Sequence, residues 1–158
     1  MKNKILIVSG DPNSINSEII FKIWKILDSK LKKSIYLIAS YDLLYDQFKK
    51  LQYNIKIKKV KNIDEQLNSD TLKIINIPLT FKNSFNVKPN SSAKYVKKSL
   101  NLAHRLANLK EVKGIINCPI NKKLIKNKIN IGVTEYLAKK NKIKDQSEVM
   151  MLYNKNLS

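Results

Sequence analysis

The sequence predicts an α/β protein, a three-layer α/β/α sandwich around a mainly parallel sheet. Two patterns lead there. Short, wholly apolar runs such as KILIV (Lys4–Val8) and IYLIA (Ile35–Ala39) read as strands buried on both faces. Between them lie segments whose apolar residues recur every three or four positions, the spacing of one helix face. At 158 residues the chain has room for one such core and is shorter than two full α/β domains with a cleft between them.

The elements follow in order. Lys4–Val8 ends in Ser9-Gly10-Asp11-Pro12, a turn sequence in which Asp11 orders the backbone. Ile20, Trp24, Leu27 and Leu31 then mark one helix with Ser17 as its N-cap. Ile35–Ala39 completes a β-α-β unit with a right-handed crossover. Tyr41–Lys50 is a shorter helix. Residues 55–60 alternate apolar residues with lysine, as a strand near a sheet edge does. Residues 64–70 are turn-like, 72–77 form another strand, and 78–89 a long loop of the kind that carries function. The strongest helix covers 91–110, with Val96, Leu100, Ala103 and Ala107 inward, widened by Tyr95 and Leu102, and with His104 at the edge of that face. A strand at 114–117, a lysine-rich turn to Asn127, a helix capped by Thr134 and running through Lys140, and a last strand at 149–153 complete the pattern. So little chain follows that last strand that the fold is expected to be incomplete at its carboxyl end.

Lys and Arg total 31 against 12 Asp and Glu, a formal charge of +19. Such an excess raises nucleic acid or another polyanion as a partner. Arg105 is the only arginine, however, whereas phosphate and base recognition favour the guanidinium fork. Lysine (30), isoleucine (22) and asparagine (19) all rise together in AT-rich coding sequence, so much of the charge reads as drift onto solvated faces. With Cys118 alone, no intrachain disulfide or cysteine metal cage can form, which fits a reducing, cytoplasmic setting. No apolar run approaches the length of a membrane span.

Three segments hold polar groups at strand ends or helix starts. The turn from Gly10 to Ser17 joins a strand end to a helix start, where ligands of open α/β sheets bind, but it lacks both glycine fingerprints of nucleotide loops. Asn121 and Lys122, after the 114–117 strand, are suited to hold a phosphate or carboxylate. Gly132-Val133-Thr134-Glu135 opens a helix, and Thr134 either caps it or meets a ligand oxygen. Cys118 beside Lys122 is either an activated thiolate or a small buried thiol. One histidine and one cysteine build no zinc site alone.

GDPNSINSEI (10–19), NCPINKKLI (117–125), GVTEYLA (132–138) and VMML (149–152), in that order, resemble the 4-hydroxythreonine-4-phosphate dehydrogenase family of pyridoxal phosphate biosynthesis. The resemblance spans the whole chain but only the amino-terminal half of the family's length. It implies an isocitrate-dehydrogenase-like fold, of which 1–118 is the main α/β portion and 119–158 the start of a second domain. It also implies a homodimer that oxidises and decarboxylates a small phosphorylated hydroxy amino acid with NAD or NADP and a divalent metal. Family glycines fall at Ser14 and Asn16, and a substrate-binding histidine at Val133, while Thr134 and Glu135 are kept. The resemblance therefore points to Thr134, Val133, Asn121 and Lys122 as substrate-binding positions. It assigns the metal histidines to the half this sequence does not contain, so the chain alone is expected to be inactive. The alternative is a non-enzymatic basic α/β module that binds polyanions such as RNA.

Overall fold

The computed structural model describes residues 3–126, 132–141 and Met151. The expected strand at 149–153 lies outside them except for Met151.

Five parallel strands form one sheet: β1 (Lys4–Val8), β2 (Ile35–Ala39), β3 (Lys56–Val60), β4 (Thr71–Asn76) and β5 (Val112–Asn117). Their order is β3-β4-β2-β1-β5. The central strand β2 is buried at every position, as a run of apolar residues without alternation requires. At the edge, β3 keeps its lysines Lys56, Lys58 and Lys59 in solvent, as the alternating 55–60 pattern predicts. β5 lies beside β1 and begins two residues ahead of Gly114, with an irregular register opposite Lys4 and Ile5.

Because side chains alternate across the sheet, two cores form. Leu6, Val8, Tyr36, Ile38 and Ile75 pack against Tyr95, Val96, Leu100 and Ala103 of α4 (Pro89–Ala107). On the other face Ile35, Leu37, Leu72 and Ile74 meet Ile20 and Trp24 of α1 (Asn16–Ile26) and Leu44 and Phe48 of α3 (Tyr41–Lys50). Each such side chain contributes about 1.5–3 kcal/mol by leaving water. This is the three-layer sandwich expected from the sequence.

Several boundaries differ from expectation. The helix expected from Ile20 to Leu31 is two. Leu27 takes an extended backbone (ψ 142°), and α2 (Ser29–Ser34) restarts with Asp28 accepting from the Leu31 amide at 2.8 Å. Ser17 is no N-cap; it is buried within the first turn of α1, behind Ile15 at the cap position, which makes no side-chain cap bond. α4 begins at Pro89 rather than 91, since proline suits a first helical turn where an amide has no partner to lose. Gly132, not Thr134, stands at the cap of α5 (Val133–Lys140).

Candidate functional site

The carboxyl ends of β1, β2 and β5 bring three loops together. The β1 turn enters this edge through Gly10, whose φ of +75° suits glycine. A Cβ at Gly10 would stand 2.5 Å from the Pro119 carbonyl and 2.9 Å from that of Cys118, so here the backbones of two turns touch. The Asp11 amide donates to Pro119 O at 3.1 Å and the Cys118 amide to Val8 O at 2.9 Å. Asp11 orders its turn as expected, its carboxylate accepting from the Asn13 amide at 2.9 Å.

Asn16 fastens the same junction. Its Nδ2 donates to Asp11 O at 3.2 Å and to Pro119 O at 2.8 Å, which fixes the amide's orientation because a flipped oxygen would face two carbonyls. Its Oδ1 is then a buried acceptor with no hydrogen-bond partner among the described residues. Ser9, Asp11, Ser14, Asn16, Ser17 and Gln47 line an adjoining cavity of about 10 Å³. That is room for about one water molecule.

The long loop expected at 78–89 folds onto this turn. Asn13 exchanges two bonds with Val87, at 2.7 and 2.8 Å, and Gln47 Nε2 donates to Pro12 O at 3.0 Å and Ser84 O at 2.7 Å. Tyr95 anchors α4 here, its hydroxyl bonded to Ser9 Oγ at 2.6 Å and accepting from the Ser40 amide at 3.0 Å. Burial pushes the Tyr95 phenol up, so it stays protonated. Asn13, Asn16, Gln47 and Tyr95 escape a reading based on spacing, because their partners lie far along the chain. Polar residues in the turn and a tyrosine on an apolar helix stripe are the only signals they leave.

The four residues singled out from the sequence stand as follows. Asn121 is exposed and accepts from the Lys123 amide at 3.0 Å, capping a 3₁₀ turn at Lys122–Leu124, and Lys122 is exposed beside it. Val133 is half-buried against the α4-side core, and Thr134 is exposed in the first turn of α5. The structure thus joins the Gly10–Ser17 turn to the Cys118–Pro119 turn. No hydrogen bond among the described residues joins Val133 or Thr134 to Asn121 or Lys122.

Little here can move a proton. Burial pushes the Cys118 thiol up to about 11, which makes it the buried thiol of the two readings rather than a thiolate. His104 lies on α4 with Nε2 at 2.9 Å from Asn141 Oδ1. Among the described residues no three His, Cys, Asp or Glu side chains gather where a metal could bind. The β1 turn lacks the glycine-rich loop that holds a dinucleotide. The described residues at this edge present backbone carbonyls and side-chain amides rather than a metal-ligating cluster. They form a hydrogen-bonded edge of turns that ends in exposed amide and ammonium groups.

Comparison with solved structures gives the same architecture. A chain from Burkholderia phymatum described as a 4-hydroxythreonine-4-phosphate dehydrogenase superposes with a TM-score of 0.77 at 18% identity, covering 92% of this chain and 45% of that one. The corresponding Salmonella typhimurium chain, assigned the same name, gives 0.75 at 22% identity, covering 88% and 44%. The Klebsiella pneumoniae enzyme of that name gives 0.68 at 15% identity, covering 87% and 45%. This chain thus spans about 45% of the length of the solved chains it matches. Among curated proteins none matches it. The profile of the family described as pyridoxal phosphate biosynthetic protein PdxA matches residues 30–158, well over half of the sequence and the three later motif segments, and the chain belongs to that family.

Proposed function

We propose that this chain is the amino-terminal portion of an enzyme that oxidises and decarboxylates 4-phosphooxy-L-threonine with NAD or NADP in pyridoxal phosphate biosynthesis, and that alone it turns over no substrate. The observation that carries the reading is the family match together with solved relatives about twice as long. The described residues supply a scaffold and exposed polar groups, with no cluster of three His, Cys, Asp or Glu among them that could hold a metal. In this reading residues 1–118 are the main α/β portion and 119–158 begin the second domain. The remaining half of the family's length carries the divalent metal and most phosphate contacts, and the working assembly is a homodimer.

Thr134 donates its hydroxyl to the substrate, Val133 holds the place of a lost histidine contact, and Asn121 and Lys122 meet the anionic end. Thr134 is free for that role because Gly132, not its own side chain, stands at the cap of α5.

The test has two arms. The chain alone, given 4-phosphooxy-L-threonine, NAD or NADP and a divalent metal, is expected to form no reduced cofactor above a boiled control. Joined to the carboxyl half of a family member, it is expected to bind substrate, measured by calorimetry. Thr134→Ala should weaken that binding and Val133→His strengthen it, each by about tenfold or more, the worth of a hydrogen bond to a charged group. Turnover by the chain alone overturns the first claim. Unchanged affinity in both variants removes this segment from the site.

A further inference from the structure

The opposite, amino edge of the sheet holds an open groove of about 1130 Å³, lined by Lys4 of β1, Lys30 and Lys33 of α2, Lys58 of β3 and the segment before β4. This is roomier than the clefts of about 300–1,000 Å³ that hold small ligands, and it shares no lining residue with the carboxyl-edge site.

Its charge is one-sided. Among the described residues Asp70 is the one carboxylate in the lining. Lys4 is offset by Asp64 at 2.7 Å and Glu111 at 3.8 Å. Lys30, Lys33 and Lys58 have no carboxylate within ion-pair distance among the described residues.

Beside Lys58 in register lies Lys73, wholly buried between Leu72 and Ile74. Its ammonium reaches the foot of the sheet, 2.5 Å from Lys33 O and 4.3 Å from the Tyr36 ring centre, with no carboxylate within ion-pair distance among the described residues. Drift of composition onto solvated faces accounts for surface lysines, but not for one in the core, where burying a cation is costly. Lys4 and Lys73 thus place two buried ammonium groups beside a groove that already carries three unpaired ones.

We propose that this groove binds an oligophosphate chain, held by Lys30, Lys33 and Lys58 with Lys4 and Lys73 behind them. The volume of the groove and its lysines on two different elements, α2 and β3, suit several linked phosphates better than one. Among the described residues no aromatic side chain lines it, so the phosphates are recognised and a nucleobase is not. The ligand is therefore free polyphosphate or the polyphosphate tail of a nucleotide. This inference does not depend on the reading of the carboxyl edge.

The test is calorimetry at low salt with sodium tripolyphosphate, ATP and inorganic phosphate. Tripolyphosphate and ATP should bind with similar affinity, and inorganic phosphate at least about tenfold more weakly. The triple variant Lys30→Gln, Lys33→Gln, Lys58→Gln should weaken tripolyphosphate binding about tenfold or more. Lys94→Gln, Lys97→Gln, Lys98→Gln makes the same charge change on α4, outside the groove, and should shift it by no more than about twofold.

Should the triple variant not fold, acetylation of the unmodified chain read by mass spectrometry serves instead, with tripolyphosphate protecting Lys30, Lys33 and Lys58. The proposal fails if tripolyphosphate does not bind, if both triple variants weaken it equally, if those three lysines are not protected, or if ATP binds and tripolyphosphate does not. It fails equally if single-stranded RNA binds and tripolyphosphate cannot displace it.

Discussion

At the scale of single residues, Lys73 carries the clearest energetic signature. Burial, helped by the nearby charge of Lys4, pushes its ammonium down from 10.5 to about 8. Between those two values the unfolded chain holds the proton more firmly than the folded one, so this residue makes the fold more stable as pH rises from about 8 to 10.5. Below 8 the full penalty is present. Cys118, pushed up to about 11, acts in the opposite sense above 9, because only the unfolded thiol ionises there. Comparison with Lys73→Met cancels that contribution, since both proteins carry Cys118. In urea unfolding at stepped pH, the stability of the unsubstituted chain relative to Lys73→Met should be flat below about pH 7 and climb from 8 to 10.5. A difference that stays level across that range would place Lys73 in contact with solvent.

At the scale of elements, helix starts show how local chemistry competes with packing. Ser17 and Thr134 are good capping residues by type, yet neither caps. Ser17 is drawn into the first turn of α1 because Asn16 beside it is fastened to Pro119. Thr134 lies two positions past the cap, since α5 starts from Gly132 with Glu135 at its third position and that carboxylate close by. Asp28, Ser40 and Asn121 do the capping, each accepting from an amide two or three residues on. Asp28→Ala should therefore cost about 1 kcal/mol in chemical denaturation, while Thr134→Ala should stay within about 0.5 kcal/mol. Equal costs would mean that Thr134 caps after all.

At the scale of the whole molecule, a charge of +19 means that repulsion outweighs attraction between charges. The ion pairs Glu18–Lys22, Asp46–Lys50 and Asp42–Lys59 are exposed, and such pairs are each worth well under about 1 kcal/mol. Sodium chloride screens both effects, and the repulsion it removes is the larger. Raising it from about 0.05 to 0.5 M should lift the thermal midpoint by a few degrees, measured by circular dichroism. A midpoint that falls with salt would show that attractive pairs dominate.

What the sequence determined by itself is what depends on neighbours along the chain. Apolar runs mark β1, β2 and β4, alternation with lysine marks the edge strand β3, and helical spacing marks α4. The Asp11 turn and the ordered motif segments are equally local. Only the tertiary structure decided which ends of those elements meet. The bond from Asn16 to Pro119 spans 103 residues, and that from Ser9 to Tyr95 spans 86. No periodicity encodes either, because each polar group satisfies a partner that is near only after the sheet has formed. The same holds for Lys73. Its neighbours in sequence describe a buried strand, and only the arrival of the α2 carboxyl end at the foot of the sheet gives its ammonium carbonyls to bond.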